Sequence, residues 1–196
     1  MDTLATLARV PAGRRVLVLD GPPGRWLPPG WEVVPQSGGG LDARLAAAFA
    51  SVSEGDDSPP ALLVGMDTPH LRAQTLAEAL SPAGRAGTDA WFGPATDGGF
   101  WAFGLARPNA ALARRLLLGV PMSTPSTGAG LYARLAGAGL RVAPLPALND
   151  VDTVADATEV AALAPGSRFA RTWRVVTAPA AETDASVHPT VRGAAG

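Results

Sequence analysis

A chain of 196 residues is long enough for one sizeable core and short for two, and with 47% hydrophobic and 17% charged residues it reads as globular rather than disordered. A net charge of −1 offers no basic field to nucleic acid or an anionic membrane, so a phosphate-bearing ligand needs local groups or a metal. All sixteen basic residues are Arg and no Cys is present, which excludes a Schiff-base Lys, a Walker-type phosphate loop, disulfides, thiolate nucleophiles and Cys-based zinc sites.

Met1 to Val10 reads as the end of a helix, with Leu4 and Leu7 on one face. It lacks a basic stretch ahead of a long apolar core, and no apolar run reaches membrane-spanning length, so the expected setting is cytoplasmic, with no membrane insertion. Arg14 to Asp20 reads as a strand closed by G-P-P-G, and Glu32 to Val34 as a second, shorter one. The loop Q-S-G-G-G then leads into an amphipathic helix with Leu41, Leu45, Phe49 and Val52 on one face. After a polar loop, Ala61 to Gly65 is an apolar run that ends in Asp67, as a buried strand of a parallel sheet would. A helix between Pro69 and Leu80 stops at Ser81-Pro82. Ala90–Gly93 and Phe100–Leu105 flank T-D-G-G, and Asn109 caps a helix running to Leu118 that Gly119 ends. A helix over Ser126 to Ala138, a strand over Leu140 to Leu145 and a helix over Thr153 to Ala164 follow. The alternation predicts an α/β three-layer domain over residues 1–177, with 178–196 as a disordered, Ala-, Thr- and Pro-rich tail.

Three acidic turns follow three strand-like runs, and ligands of open α/β sheets bind beyond the carboxyl ends of strands. Asp67 reads either as a cap for the helix near Pro69 or as a ligand for Mg²⁺ or Mn²⁺. Asp97 sits in an Asp-Gly hairpin turn that needs no ligand to explain it, although Gly98 and Gly99 also let backbone approach a ligand closely. Asp150 and Asp152 alternate on an extended segment, so at most one is expected to reach a metal directly. Asp156, three residues after Thr153, fits a helix cap. Gly39 and Gly40 before a helix read as a flexible joint or an anion loop, with Arg44 one turn in. His70 reads as a helix-start residue, and the five Trp as core more than ligand platforms.

G-M-D-T-P-H-L, F-G-P-A-T-D-G-G-F-W-A-F-G-L, S-T-P-S-T and D-V-D-T-V-A-D occur in the order and spacing of one bacterial group. Over Met1 to Phe169 the chain resembles the GT-A-like glycosyltransferases of arsenosugar-biosynthesis type, also grouped as nucleotide-diphospho-sugar transferases. It is more distantly similar to the guanylyltransferases of phospholactate and molybdenum-cofactor metabolism. The resemblance implies a Rossmann-like sheet binding a nucleotide or nucleotide-sugar, with Asp67 as metal-binding acid and Asp150 or Asp152 as a second ligand. It places Asp97, Gly98 and Gly99 at the sugar or acceptor, and Thr124 with Pro125 in a signature whose usual Trp is Met122 here. Family members open with a strand and a Lys/Arg-bearing loop that this chain lacks, so an N-terminally truncated form of the fold is expected, through a misplaced gene start or a true loss. The expected activity is metal-dependent glycosyl transfer from a nucleotide-sugar, with Asp97 orienting or deprotonating the acceptor hydroxyl. Nucleotidyl transfer on the same scaffold and an inactive remnant serving as a binding partner are the rivals, and assembly as a homo-oligomer stays open.

Overall fold

The computed structural model describes residues 2–55 and 58–178, so all but the first residue of the expected tail lies outside the described residues. The chain runs α1 (Asp2–Leu7), β1 (Val16–Leu19), β2 (Glu32–Pro35), α2 (Leu41–Ser51), β3 (Ala61–Val64), α3 (Ala73–Leu80) and α4 (Pro82–Arg85). It continues through β4 (Ala90–Pro94), β5 (Phe100–Leu105), α5 (Ala110–Leu117), α6 (Thr127–Gly137), β6 (Val142–Pro144), α7 (Val154–Leu163) and α8 (Arg168–Thr177). Strands and helices alternate as expected, giving a Rossmann-like α/β fold.

Two sheets carry the strands. β1 and β2 form a parallel pair, and the other four lie in the order β3-β5-β4-β6. β5 is antiparallel to both β3 and β4, and β6 is parallel to β4, so β3, β4 and β6 all point one way. Their carboxyl ends therefore share one edge, which is where Asp67, Asp97 and Asp150 follow. The antiparallel return of β5 comes from the T-D-G-G hairpin, which is too short for a parallel crossover.

Both faces of the larger sheet are covered. Phe49 of α2, Ala113, Leu116 and Leu117 of α5, and Leu131 and Leu135 of α6 pack with Phe92, Phe103 and Leu105 on one face. Leu76 and Ala79 of α3 pack with Val10, Trp91, Trp101 and Leu145 on the other. Trp91 and Trp101 are core residues, and full burial of side chains of this size contributes about 1.5–3 kcal/mol each. The Asn109 side chain accepts from the Ala111 and Leu112 amides at the head of α5, and Thr153 with Asp156 forms a capping box on α7.

Local differences have local causes. α3 begins at Ala73 rather than beside Pro69, because Pro69 and His70 form a turn first. The Ser81 hydroxyl accepts from the Gly84 amide, so Ser81-Pro82 ends one helix and starts another. α8 was not anticipated; it buries only Ala170, leaving little apolar periodicity to read. No helix among the described residues is long and apolar enough to cross a membrane.

Candidate active site

β3 ends at Val64 and delivers Asp67 to the edge through Gly65, where a Cβ would lie 2.9 Å from Asp67 Oδ1. The Asp67 carbonyl accepts from the Val151 amide (3.1 Å), and the preceding Met66 carbonyl accepts from Thr3 Oγ1 (3.1 Å), so α1 and the loop after β6 both hold this turn. Thr68 is fully buried, and its hydroxyl has no partner among the described residues.

Asp97 occupies the β4–β5 turn and accepts the Gly99 amide at 2.7 Å. Gly98 adopts φ +94°, and a Cβ there would collide with the Pro125 carbonyl. The Gly98 carbonyl in turn accepts from the Gly128 amide (2.8 Å). Close packing against the segment leading into α6 thus explains Gly98, whereas a Cβ at Gly99 would meet only the Asp97 carboxylate, which stays exposed. Thr124 belongs to the same wall. Its amide donates to Thr127 Oγ1 (3.0 Å), and its hydroxyl pairs with Ser126 Oγ (3.1 Å) and Thr127 Oγ1 (3.2 Å).

Asp150 and Asp152 lie on the connection from β6 to α7. One carboxylate oxygen each from Asp67, Asp150 and Asp152 lies within 4.8 Å of the others. The strict alternation expected for this segment does not hold, because it lies outside the ladder: only Leu148 bridges to Ala95 before the chain turns toward α7. Both acids therefore reach Asp67.

The electrostatics follow from this crowding. The Asp67 pKa is raised first by partial desolvation, although the residue as a whole is exposed, and then by the charges of Asp152 and Asp97. Asp150 is raised by desolvation and then by Asp97, Asp152 and Asp67. Among the described residues no guanidinium pairs with any of the four, since the ion pairs are Arg14 with Glu32 and Glu54, and Arg141 with Asp89. An all-carboxylate set with uncompensated repulsion suits a hard divalent cation such as Mg²⁺ or Mn²⁺ and no soft one.

Gly39 and Arg44 form a separate place, with Gly40 as the N-cap of α2 beside it. With Asp20, Gln36, Ser37 and Gly38, Gly39 and Arg44 line a cavity of about 270 Å³. Arg44 already donates to the Gly39 carbonyl (2.9 Å) and to Gln36 Oε1 (3.1 Å), and none of the site acids lines this cavity. A larger groove of about 650 Å³, with Arg85, Arg107 and Arg141, lies at the opposite end of the sheet. His70 is half-buried; burial lowers its pKa against the pull of Glu159.

Sequence reading passed over Asn149. Its Oδ1 accepts from Thr96 Oγ1 (2.9 Å), and its Nδ2 donates to Asp156 Oδ1 (3.4 Å) and Glu159 Oε2 (3.3 Å). It also passed over Gly128, where a Cβ would strike the Gly99 carbonyl; a glycine in the first turn of a helix was the available signal.

The model of a family described as uncharacterised proteins conserved in bacteria (DUF2064) matches residues 3–124. No curated protein matches the chain. Among solved structures, the chain is similar to a candidate nucleotide-diphospho-sugar transferase from Desulfovibrio desulfuricans G20, with a TM-score of 0.73 and 27% identity. The likeness covers 89% of this chain and 77% of that one.

Proposed function

The chain belongs to the DUF2064 family, and on that premise we propose that it is a divalent-metal-dependent transferase acting on a nucleotide-sugar. The observation that carries this reading is the convergence of Asp67, Asp150 and Asp152 at the carboxyl edge of the sheet. The likeness to a candidate nucleotide-diphospho-sugar transferase supports the same broad class. The narrower arsenosugar-type assignment is part of the proposal and rests on the motif resemblance alone.

Asp67, Asp150 and Asp152 would hold Mg²⁺ or Mn²⁺. Such a cation, when bound, offsets the charge of a diphosphate and of its departing nucleoside diphosphate. With a net charge of −1 and several carboxylates at this edge, the chain itself repels a bare diphosphate. Asp97, exposed and anchored through Gly99, is free to orient an acceptor hydroxyl or take its proton. Gly98, Gly99 and Thr124 serve this side as its wall. Gly39 and Arg44 would meet a further part of the donor in their own cavity, with Gly40 beside it at the head of α2.

The test is incubation with Mn²⁺ and candidate donors. Release of nucleoside diphosphate from a nucleotide-sugar is the expected result. Pyrophosphate from a nucleoside triphosphate would instead mean nucleotidyl transfer. If no metal or nucleotide raises the melting temperature at millimolar concentration, the enzymatic reading fails.

A further inference from the structure

We propose that Asn149 is the positioning residue of this site. Its side-chain amide locks the Asp97 turn, the Asp150–Asp152 loop and α7 together, and so sets the spacing of the acids. Its consequence for metal affinity rests on the function proposed above, whereas its mechanical role does not.

The loop after β6 has no regular structure between Leu148 and the start of α7, so its course depends on individual bonds. Three attachments lie within four residues. The Leu148 carbonyl accepts from the Thr96 amide (3.0 Å), beside Asp97. The Val151 amide donates to the Asp67 carbonyl (3.1 Å). Between them Asn149 takes the Thr96 hydroxyl on its oxygen and gives its NH₂ to Asp156 and Glu159 of α7. Asp156 is itself tied to the Thr153 amide (2.8 Å), so the clamp reaches the far side of Asp152.

The chemistry needs an amide at this position. A carbonyl oxygen must meet a hydroxyl donor while an NH₂ faces two carboxylates. Asp there would keep the first contact and turn the second into repulsion. The clamp acts against a load, because neighbouring carboxylates with no cationic partner among the described residues push the loops apart.

The test uses the whole chain with Asn149→Ala, Asn149→Asp, Thr96→Val and Thr96→Ser, read by amide exchange and by Mn²⁺ affinity from electron paramagnetic resonance. Asn149→Ala is expected to speed Val151 amide exchange about tenfold or more while the Leu63 and Phe103 amides keep their rates, and to weaken Mn²⁺ binding about tenfold. Thr96→Val reproduces part of both effects, Thr96→Ser restores them, and Asn149→Asp does not rescue. Unchanged Val151 exchange in Asn149→Ala overturns the clamp, and faster exchange with unchanged Mn²⁺ affinity overturns its control of acid spacing. If the unaltered chain binds no Mn²⁺, the proposed function fails, and the exchange measurement still decides whether Asn149 holds the loop.

Discussion

Asp67 works against the stability of the fold that displays it. Its raised pKa means that the folded chain holds this proton more tightly than the unfolded one, so stability falls as pH rises through the raised value. The penalty is fully present above the raised value and disappears as pH falls to the ordinary value of 3.8. Asp67→Asn removes the charge and nearly keeps the shape. It should raise the metal-free melting temperature at pH 7, lose that advantage near pH 4, and weaken Mn²⁺ binding at least about tenfold, or ~1.4 kcal/mol. Calorimetry at the two pH values with a metal titration checks all three. A variant that melts lower than the parent at pH 7 would refute the argument. Gly98 carries the opposite kind of constraint. Its positive φ and the Pro125 carbonyl both exclude a side chain, so Gly98→Ala should cost about 2 kcal/mol or more in urea unfolding. Gly38 has open space around it and no positive φ, so Gly38→Ala in the triple-glycine loop is the near-neutral control.

At the level of elements, the runs V-L-V-L and A-L-L-V are apolar on both faces, as strands in the middle of a covered sheet are. That was legible in the sequence, as were the caps at Asn109 and Thr153 and the placement of acids after strands. What became of those strands was not, because pairing depends on chain segments far apart. Among the described residues β1 and β3 each have a partner strand on one side only, β2 and β5 respectively. The Arg15 and Leu19 carbonyls accept from Glu32 and Gln36, so Leu17 also faces β2, while the N–H and C=O of Val16 and Val18 face away. In β3 the Gly65 amide bonds to Trp101, so Leu63 faces β5 while Leu62 and Val64 face outward. Among the described residues, these apolar strands therefore lie at sheet margins with backbone groups facing away from any partner strand. Amide exchange should therefore alternate, with Leu17 and Leu63 protected ~100-fold or more above Val16, Val18, Leu62 and Val64. Uniform protection along either strand would mean that the open edges are covered. The same dependence on distant pairing explains the site. Asp67, Asp150 and Asp152 could be named from their turns, but their meeting required β3, β4 and β6 to point the same way and the loop after β6 to leave the ladder.

Across the whole molecule, the first helix holds the last. Both carboxylate oxygens of Asp2 accept amides at the head of α8, Arg168 at 3.0 Å and Phe169 at 2.8 Å, while Ser167 Oγ takes Ala170 at 2.9 Å. Three of the four amides that a helix leaves without internal partners are thereby filled, and a negative charge sits at the positive end of the helix dipole. One residue along, Thr3 holds the Met66 carbonyl beside Asp67, so α1 links α8 to the acidic edge. α8 has little else to keep it folded, since only Ala170 is buried and Val175 and Val176 lie 77% and 69% exposed. Its stability should depend on the Asp2 contact more than on packing. Asp2→Ala is expected to lose about 1 kcal/mol, concentrated in α8, because a lost helix cap costs about that much. An Arg-specific protease reports this directly, because Arg168, Arg171 and Arg174 lie along that helix. Cleavage there should accelerate severalfold in Asp2→Ala, and cleavage at Arg134 within α6, whose neighbours Leu131 and Leu135 are fully buried, should not change. Equal cleavage of α8 in the two proteins would show that α7 alone holds it and that the amino-terminal carboxylate is dispensable.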